Sequence, residues 1–145
     1  MGQSELLSSL YQNHSESVNI RTLVFPDLAA GVVLTGAKAY AYGAWVQIVA
    51  AAGVVVDTWI SGVELAEGLA GGDQYQVQVG SGAGAAEVGL AAIPFDSRNG
   101  SGGQVDLPLP IKVLAATRIA ARTANAAAGA ANTIIAKVKA IQGLV

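Results

Sequence analysis

The sequence predicts an all-β fold: a single β-sandwich, jelly-roll-like, with an extended N-terminal arm. Apolar side chains fall at every second position in several stretches, most clearly QYQVQV (74–79) and QVDLPLPIKV (104–113). A period of two marks a strand with one buried face, because successive side chains leave opposite sides of the pleat. About nine such short stretches are separated by turn residues every ten or so positions, the spacing of a sandwich or barrel. No period of 20–50 residues repeats, which removes solenoids and propellers. At 145 residues the chain is one domain with room for a real core.

Residues 1–17 differ from the rest. Leu6, Leu7, Leu10 and Tyr11 fall at near-helical spacing, and QNHSES (12–17) is polar and turn-prone. One or two helical turns are too short to stand alone. The segment reads as an arm that orders by packing on a neighbour, or else as a frayed terminus. The sandwich then occupies residues 18–145. Residues 18–25 form the first strand, stopped by Pro26 and Asp27, and residues 31–35 are a short apolar strand between two glycines. YGAWVQIVA (42–50) follows. Residues 54–65 are long and rich in β-branched side chains, which favours strand, and Gly62 marks a bulge or bend.

In residues 74–79 three glutamines face one way, and Tyr75, Val77 and Val79 face the other. GSGAG (80–84) is a loop, residues 87–95 a strand, and DSRNGSGG (96–103) the most flexible stretch. Residues 104–113 alternate but hold Pro108 and Pro110, which cannot donate ladder hydrogen bonds, so this strand belongs on a sheet edge. Residues 117–123 carry Arg118 and Arg122. NAAAGAA (125–131) is a loop, and residues 132–141 form the last strand, with Lys137 and Lys139 opposite Val138 and Ala140.

Hydrophobic residues make up 52% and charged residues 12%, about half the charged share of ordinary soluble domains. A monomer so poorly coated with charge tends to associate, so much of its surface is expected against other chains. A net charge of −2 argues against nucleic-acid binding through a basic face. The absence of cysteine excludes disulfides and thiolate zinc sites. The apolar stretches are too short and too interrupted by glycine to span a bilayer as helices, and residues 1–11 lack the pattern of a signal peptide.

Catalytic apparatus is not expected. His14 is the one histidine, and it lies in the polar arm. Asp27, Asp57, Glu64, Glu67, Asp73, Glu87, Asp96 and Asp106 are scattered acids with no paired-carboxylate signature. GSGAG lacks the lysine and following helix of a phosphate loop, and residues 96–103 lack the closing acid of an EF-hand. No cofactor or metal is expected. Arg118 and Arg122 lie four apart on a strand and project from one face, where each fork can take a carboxylate. Glu87 is the candidate partner. The sharp reading is an inter-subunit ion pair that fixes register; the plain one is a solvated pair of arginines.

GAWVQI (43–48), DTWISGV (57–63), QVQVGSGAGAAE (76–87), LPIKV (109–113) and TRIAAR (117–122), in that order, resemble virion structural proteins of tailed bacteriophages. In particular the chain is similar to small all-β proteins that decorate or cement capsids, over roughly residues 40–123. The resemblance implies a homotrimer on the capsid exterior, seated on the major capsid protein, with a terminal arm. Oligomer contacts are then expected at Glu87, Arg118 and Arg122, and lattice contacts at Leu6, Leu7, Leu10 and Tyr11. The alternative is a receptor- or carbohydrate-binding module of a phage fibre or tail, which predicts Tyr40, Tyr42 and Phe95 grouped on exposed loops.

Overall fold

Alternation gives each strand one apolar face, and two antiparallel sheets bury those faces together. The computed structural model describes residues 20–37, 40–67, 74–99, 102–126 and 132–143. Within them lie β1 (Arg21–Phe25), β2 (Val32–Thr35), β3 (Val46–Val49), β4 (Thr58–Glu67), β5 (Gln74–Ser81), β6 (Val88–Asp96), β7 (Gly102–Val113), β8 (Ile119–Asn125) and β9 (Thr133–Gln142). The arm expected over residues 1–17, and with it Leu6, Leu7, Leu10, Tyr11 and His14, lies outside the described residues.

The first sheet runs β1-β9-β4-β7. Strand β2 shares with β1 the same edge of β9: β1 pairs with its second half and β2 with its first. The second sheet runs β3-β8-β5-β6. The core takes Leu34, Ile60, Val63, Leu65, Ile134, Ala136 and Val138 from the first sheet. Tyr75, Val77, Val79, Ile93, Ile119 and Ala121 come from the second. These are aliphatic side chains, most of them β-branched, with one tyrosine, which keeps the layer between the sheets thin. The fold is therefore all-β and sandwich-like.

Several expectations are met in detail. Gln74 and Gln76 are exposed while Tyr75, Val77 and Val79 are buried. Strand β7 is an edge strand, as its prolines require. The ladder between β4 and β7 breaks after Ile60 opposite Ile111 and resumes with Gly62 opposite Asp106. The Leu107–Pro110 stretch is thus skipped, and Leu109 turns outward, against the expected strict alternation. Gly62 marks the break: a Cβ there would lie 2.5 Å from the carbonyl oxygen of Val105.

Two predicted strands begin too early. Residues 42–45 are not in β3, and residues 54–57 are not in β4. At the second site the Thr58 hydroxyl donates to the Val56 carbonyl, and the Asp57 carboxylate accepts from the Ala115 N–H, so local side-chain bonds hold a turn there. The flexible stretch of 96–103 is also shorter than expected. Asp96 accepts from the N–H of Arg98 across a 3-10 turn (Ser97–Asn99), and β7 already starts at Gly102.

The registers sort the connections into two ends. The loops 50–57, 82–87 and 114–118 lie at one end, together with the start of β1 and the finish of β9. The finishes of β2, β4, β6 and β8 and the starts of β3, β5, β7 and β9 lie at the other.

Candidate functional site

The first end is apolar. Val55 is 69% exposed, Val88 66% and Leu114 61%, and Ile20 and Val56 are also exposed there. The loops that carry them are tied together from within. The Ala116 N–H donates to the Val54 carbonyl at 2.7 Å, and the Gly82 N–H to the Arg118 carbonyl at 3.1 Å. Beside them a polar relay runs inward from the exposed Arg21 to the Gln142 side-chain carbonyl oxygen (3.1 Å), and from the Gln142 amide to the buried Thr58 hydroxyl (2.9 Å). The exposed valines and leucine therefore sit on a fastened base, which lowers the entropy lost when a partner covers them.

Glu87 and Arg118 meet at this end, within one chain. The side chain of Glu87 is 2% exposed and that of Arg118 17%. Arg118 also donates to Gln47 at 3.2 Å. Burial raises the Glu87 carboxyl, but the Arg118 guanidinium and nearby backbone N–H groups outweigh it, so the net shift is downward. The pair anticipated between subunits is formed inside the chain, where it fastens the 82–87 loop to the start of β8.

Arg122 points from the centre of β8 onto the outer face of the second sheet. It does not join Arg118. Its guanidinium carbon lies 4.3 Å from the Trp45 ring centre and 4.6 Å from that of Tyr42. Its Nε donates to the Gln78 carbonyl oxygen at 2.8 Å. Tyr42 donates its hydroxyl to the Gln76 carbonyl oxygen at 2.6 Å. Trp45 reaches this face by lying over Gly80, where a Cβ would meet the indole at 2.5 Å. The segment carrying both aromatics follows the edge of β8, with the Tyr40 N–H on the Asn125 carbonyl and the Gly43 N–H on the Thr123 carbonyl. Tyr40 is 82% exposed and edges a shallow groove with Gln74, Gln76 and Asn125. Phe95, expected beside the tyrosines, packs against the core instead.

Among the described residues the remaining acids have structural partners. Asp57 pairs with Lys112, Glu64 with Lys137, Asp96 with Arg98 and Asp106 with Lys139, and Asp27 accepts from the Ala29 and Ala30 N–H groups; Asp73 and the side chain of Glu67 lie outside the described residues. Among the described residues no group of three His, Cys, Asp or Glu side chains could hold a metal ion, and no helix is long and apolar enough to cross a membrane. The aromatic clasp on Arg122 was missed in the sequence because Tyr42 and Trp45 were assigned to a regular strand. Their odd spacing, which would put them on opposite faces of such a strand, was the available signal. No family model, no curated protein and no solved structure matches the chain.

Proposed function

We propose that this chain is a structural protein that works by assembly: a jelly-roll domain that decorates and stabilises the capsid of a tailed bacteriophage as a homotrimer, seated on the major capsid protein. The observation that carries the reading is the apolar end, with Ile20, Val55, Val56, Val88 and Leu114 exposed on fastened loops of a chain so short of charge. The strand order supports the jelly roll. Taking β1 and β2 as one edge strand, the hairpin pairs nest, first with last: β1/β2 with β9, β3 with β8, β4 with β7, β5 with β6. Jelly rolls serve as capsid and as lectin domains, so the fold alone does not choose between them. The virion setting comes from the sequence resemblance, and the apolar end favours assembly.

Full burial of a valine or leucine side chain is worth about 1.5–3 kcal/mol. Five partly exposed ones supply on the order of 5–10 kcal/mol, comparable to the roughly 4–15 kcal/mol that association costs in lost freedom. One such contact is weak alone. Several engaged at once on a lattice gain by effective concentration, which suits a cementing role. The arm of residues 1–17 would add lattice contacts through Leu6, Leu7, Leu10 and Tyr11. On this reading the protein performs no chemistry.

Light scattering tests the assembly. The full chain is expected at three times its 14.5 kDa mass, and the double variant Val55→Asp, Leu114→Asp at one, with an unchanged β-sheet circular dichroism spectrum and a melting temperature that no longer depends on concentration. A full chain that stays monomeric at hundreds of micromolar would overturn the reading. Mass spectrometry of purified phage particles, with the chain absent from them, would overturn its virion setting.

A further inference from the structure

We propose that the outer face of the second sheet binds an anionic saccharide, with Arg122 holding its carboxylate and the groove beside Tyr40 holding its ring. This goes beyond assembly and uses none of the residues at the apolar end.

Among the described residues, Arg98, Lys112, Arg118, Lys137 and Lys139 each have an acidic partner within 4 Å. Two described arginines have none: Arg21, which is exposed and rests on the Gln142 side chain, and Arg122, which is half-buried and held from three sides by Tyr42, Trp45 and Gln78. A desolvated cation without a counter-charge is unfavourable unless something repays it. Two aromatic rings do so in part, and they also fix where the guanidinium points. Its Nε is spent on Gln78, which leaves the terminal nitrogens as the fork that suits a carboxylate.

The neighbouring amides match. Arginine has no acceptor, so the Gln78 oxygen must face Arg122 and its NH2 group is turned away. The Gln76 oxygen likewise accepts from Tyr42. Each of these carbonyls accepts one hydrogen bond from inside the cluster, and beside them the Arg122 terminal nitrogens add N–H donors on a fixed cation. An acceptor-rich anion complements that array.

The groove decides for a sugar. Tyr40, Gln74, Gln76 and Asn125 line a space of about 220 Å³. That is smaller than the roughly 300–1,000 Å³ of sites that enclose a drug-sized molecule, and it fits a single ring. Tyr40 sits at a φ of +59°, a left-handed conformation rare for a bulky residue, with its N–H fastened to Asn125. This strained backbone presents the phenol to solvent rather than to the core. Gln76 links the two halves, since it lines the groove and holds the tyrosine that stacks on Arg122.

The test titrates the assembled protein, in a Trp59→Phe background that leaves Trp45 as its fluorophore, with D-glucuronate and with D-glucose at constant ionic strength. Saturable change with glucuronate is expected, with glucose at least 10-fold weaker. Arg122→Gln is expected to weaken glucuronate at least 10-fold and Arg122→Lys less. Tyr40→Asn, which tolerates the left-handed backbone, is expected to weaken it several-fold with an unchanged melting temperature. Equal response to both sugars, no saturation, or indifference to both the Arg122 and Tyr40 variants would overturn the proposal. So would an Arg122→Gln protein whose assembly mass falls, since the carboxylate would then come from a second copy. Because mass and fluorescence are read separately, failure here leaves the assembly reading standing, and the reverse.

Discussion

The outer faces of the two sheets solve the same problem differently. On the first sheet, charges pair across the strands: Lys137 with Glu64 on the adjacent β4, and Lys139 with Asp106 over Gly62 of the intervening β4. The second sheet carries amides, methyl groups and one clasped cation: Gln76, Gln78, Ala92 and Arg122, with Ala120 and Ala124 covered. On each face a glycine stands where the backbone must be bare. At Gly62 the obstacle is the Val105 carbonyl, and at Gly80 it is the Trp45 indole with the Val88 carbonyl. The first face is built for water. The second is built to hold a side chain still, and stillness of a cation is useful only where something is to meet it.

The largest effects are expected at these glycines. Gly62→Val and Gly80→Val each force backbone or ring movement and should destabilise by about 1–3 kcal/mol, measured by urea unfolding. They should differ in their optical signature. Gly80→Val displaces Trp45 and shifts its native-state fluorescence, while Gly62→Val leaves it unchanged. Equal spectra would break the contrast.

Next come the two cation–π contacts. Arg122→Ala loses two rings and should destabilise by about 1–3 kcal/mol. Lys112 lies 5.2 Å from the Trp59 ring on the other face, with its side chain 49% exposed. Lys112→Ala is expected to cost under half as much. If the two variants unfold alike, burial is not what separates the faces.

Smaller again is the response to acid and salt. Glu87 is held below the 4.5 of an ordinary glutamate by Arg118 and backbone N–H groups, against the opposing effect of burial. Its folded value is depressed, so its contribution is complete above the ordinary value and is lost as pH falls through the folded one. Stability should therefore fall as the pH drops below the ordinary glutamate value, and Glu87→Gln should flatten that slope. The same sign holds for Asp106, which Lys139 and Gln104 hold down by hydrogen bonds. Asp106 is exposed, and 0.5 M salt should screen its pair while leaving Glu87 and Arg118 nearly untouched. The smallest effect is expected from Tyr40→Asn, which should leave the unfolding midpoint where it is.

Much of the fold was legible. Alternation in β5 and β9 named the buried residues, since the pleat fixes side-chain direction locally, and the prolines placed β7 at an edge. Glycine 62 announced its break. Less was legible at the loops. Val54–Val56 look like strand by composition, but the bond from Thr58, the Asp57–Ala115 contact and the backbone bonds of Val54 to Ala51 and Ala116 hold them as a turn. Arg118 and Arg122 were seen as a pair. Yet one lies just before β8 and the other at its centre, and they meet different strands: Glu87 is reached through the 82–87 loop, Gln78 through β5.

By itself the sequence determined that the chain forms strands, which faces of them are apolar and how little charge covers the whole. Those follow from the period of the pleat and from composition, which need only near neighbours. The tertiary structure alone decided that Val55, Val88 and Leu114 share one end and that Tyr42 and Trp45 close on Arg122. These meetings join residues tens of positions apart, and strand register, set by the packing of all the inner faces at once, brings them together.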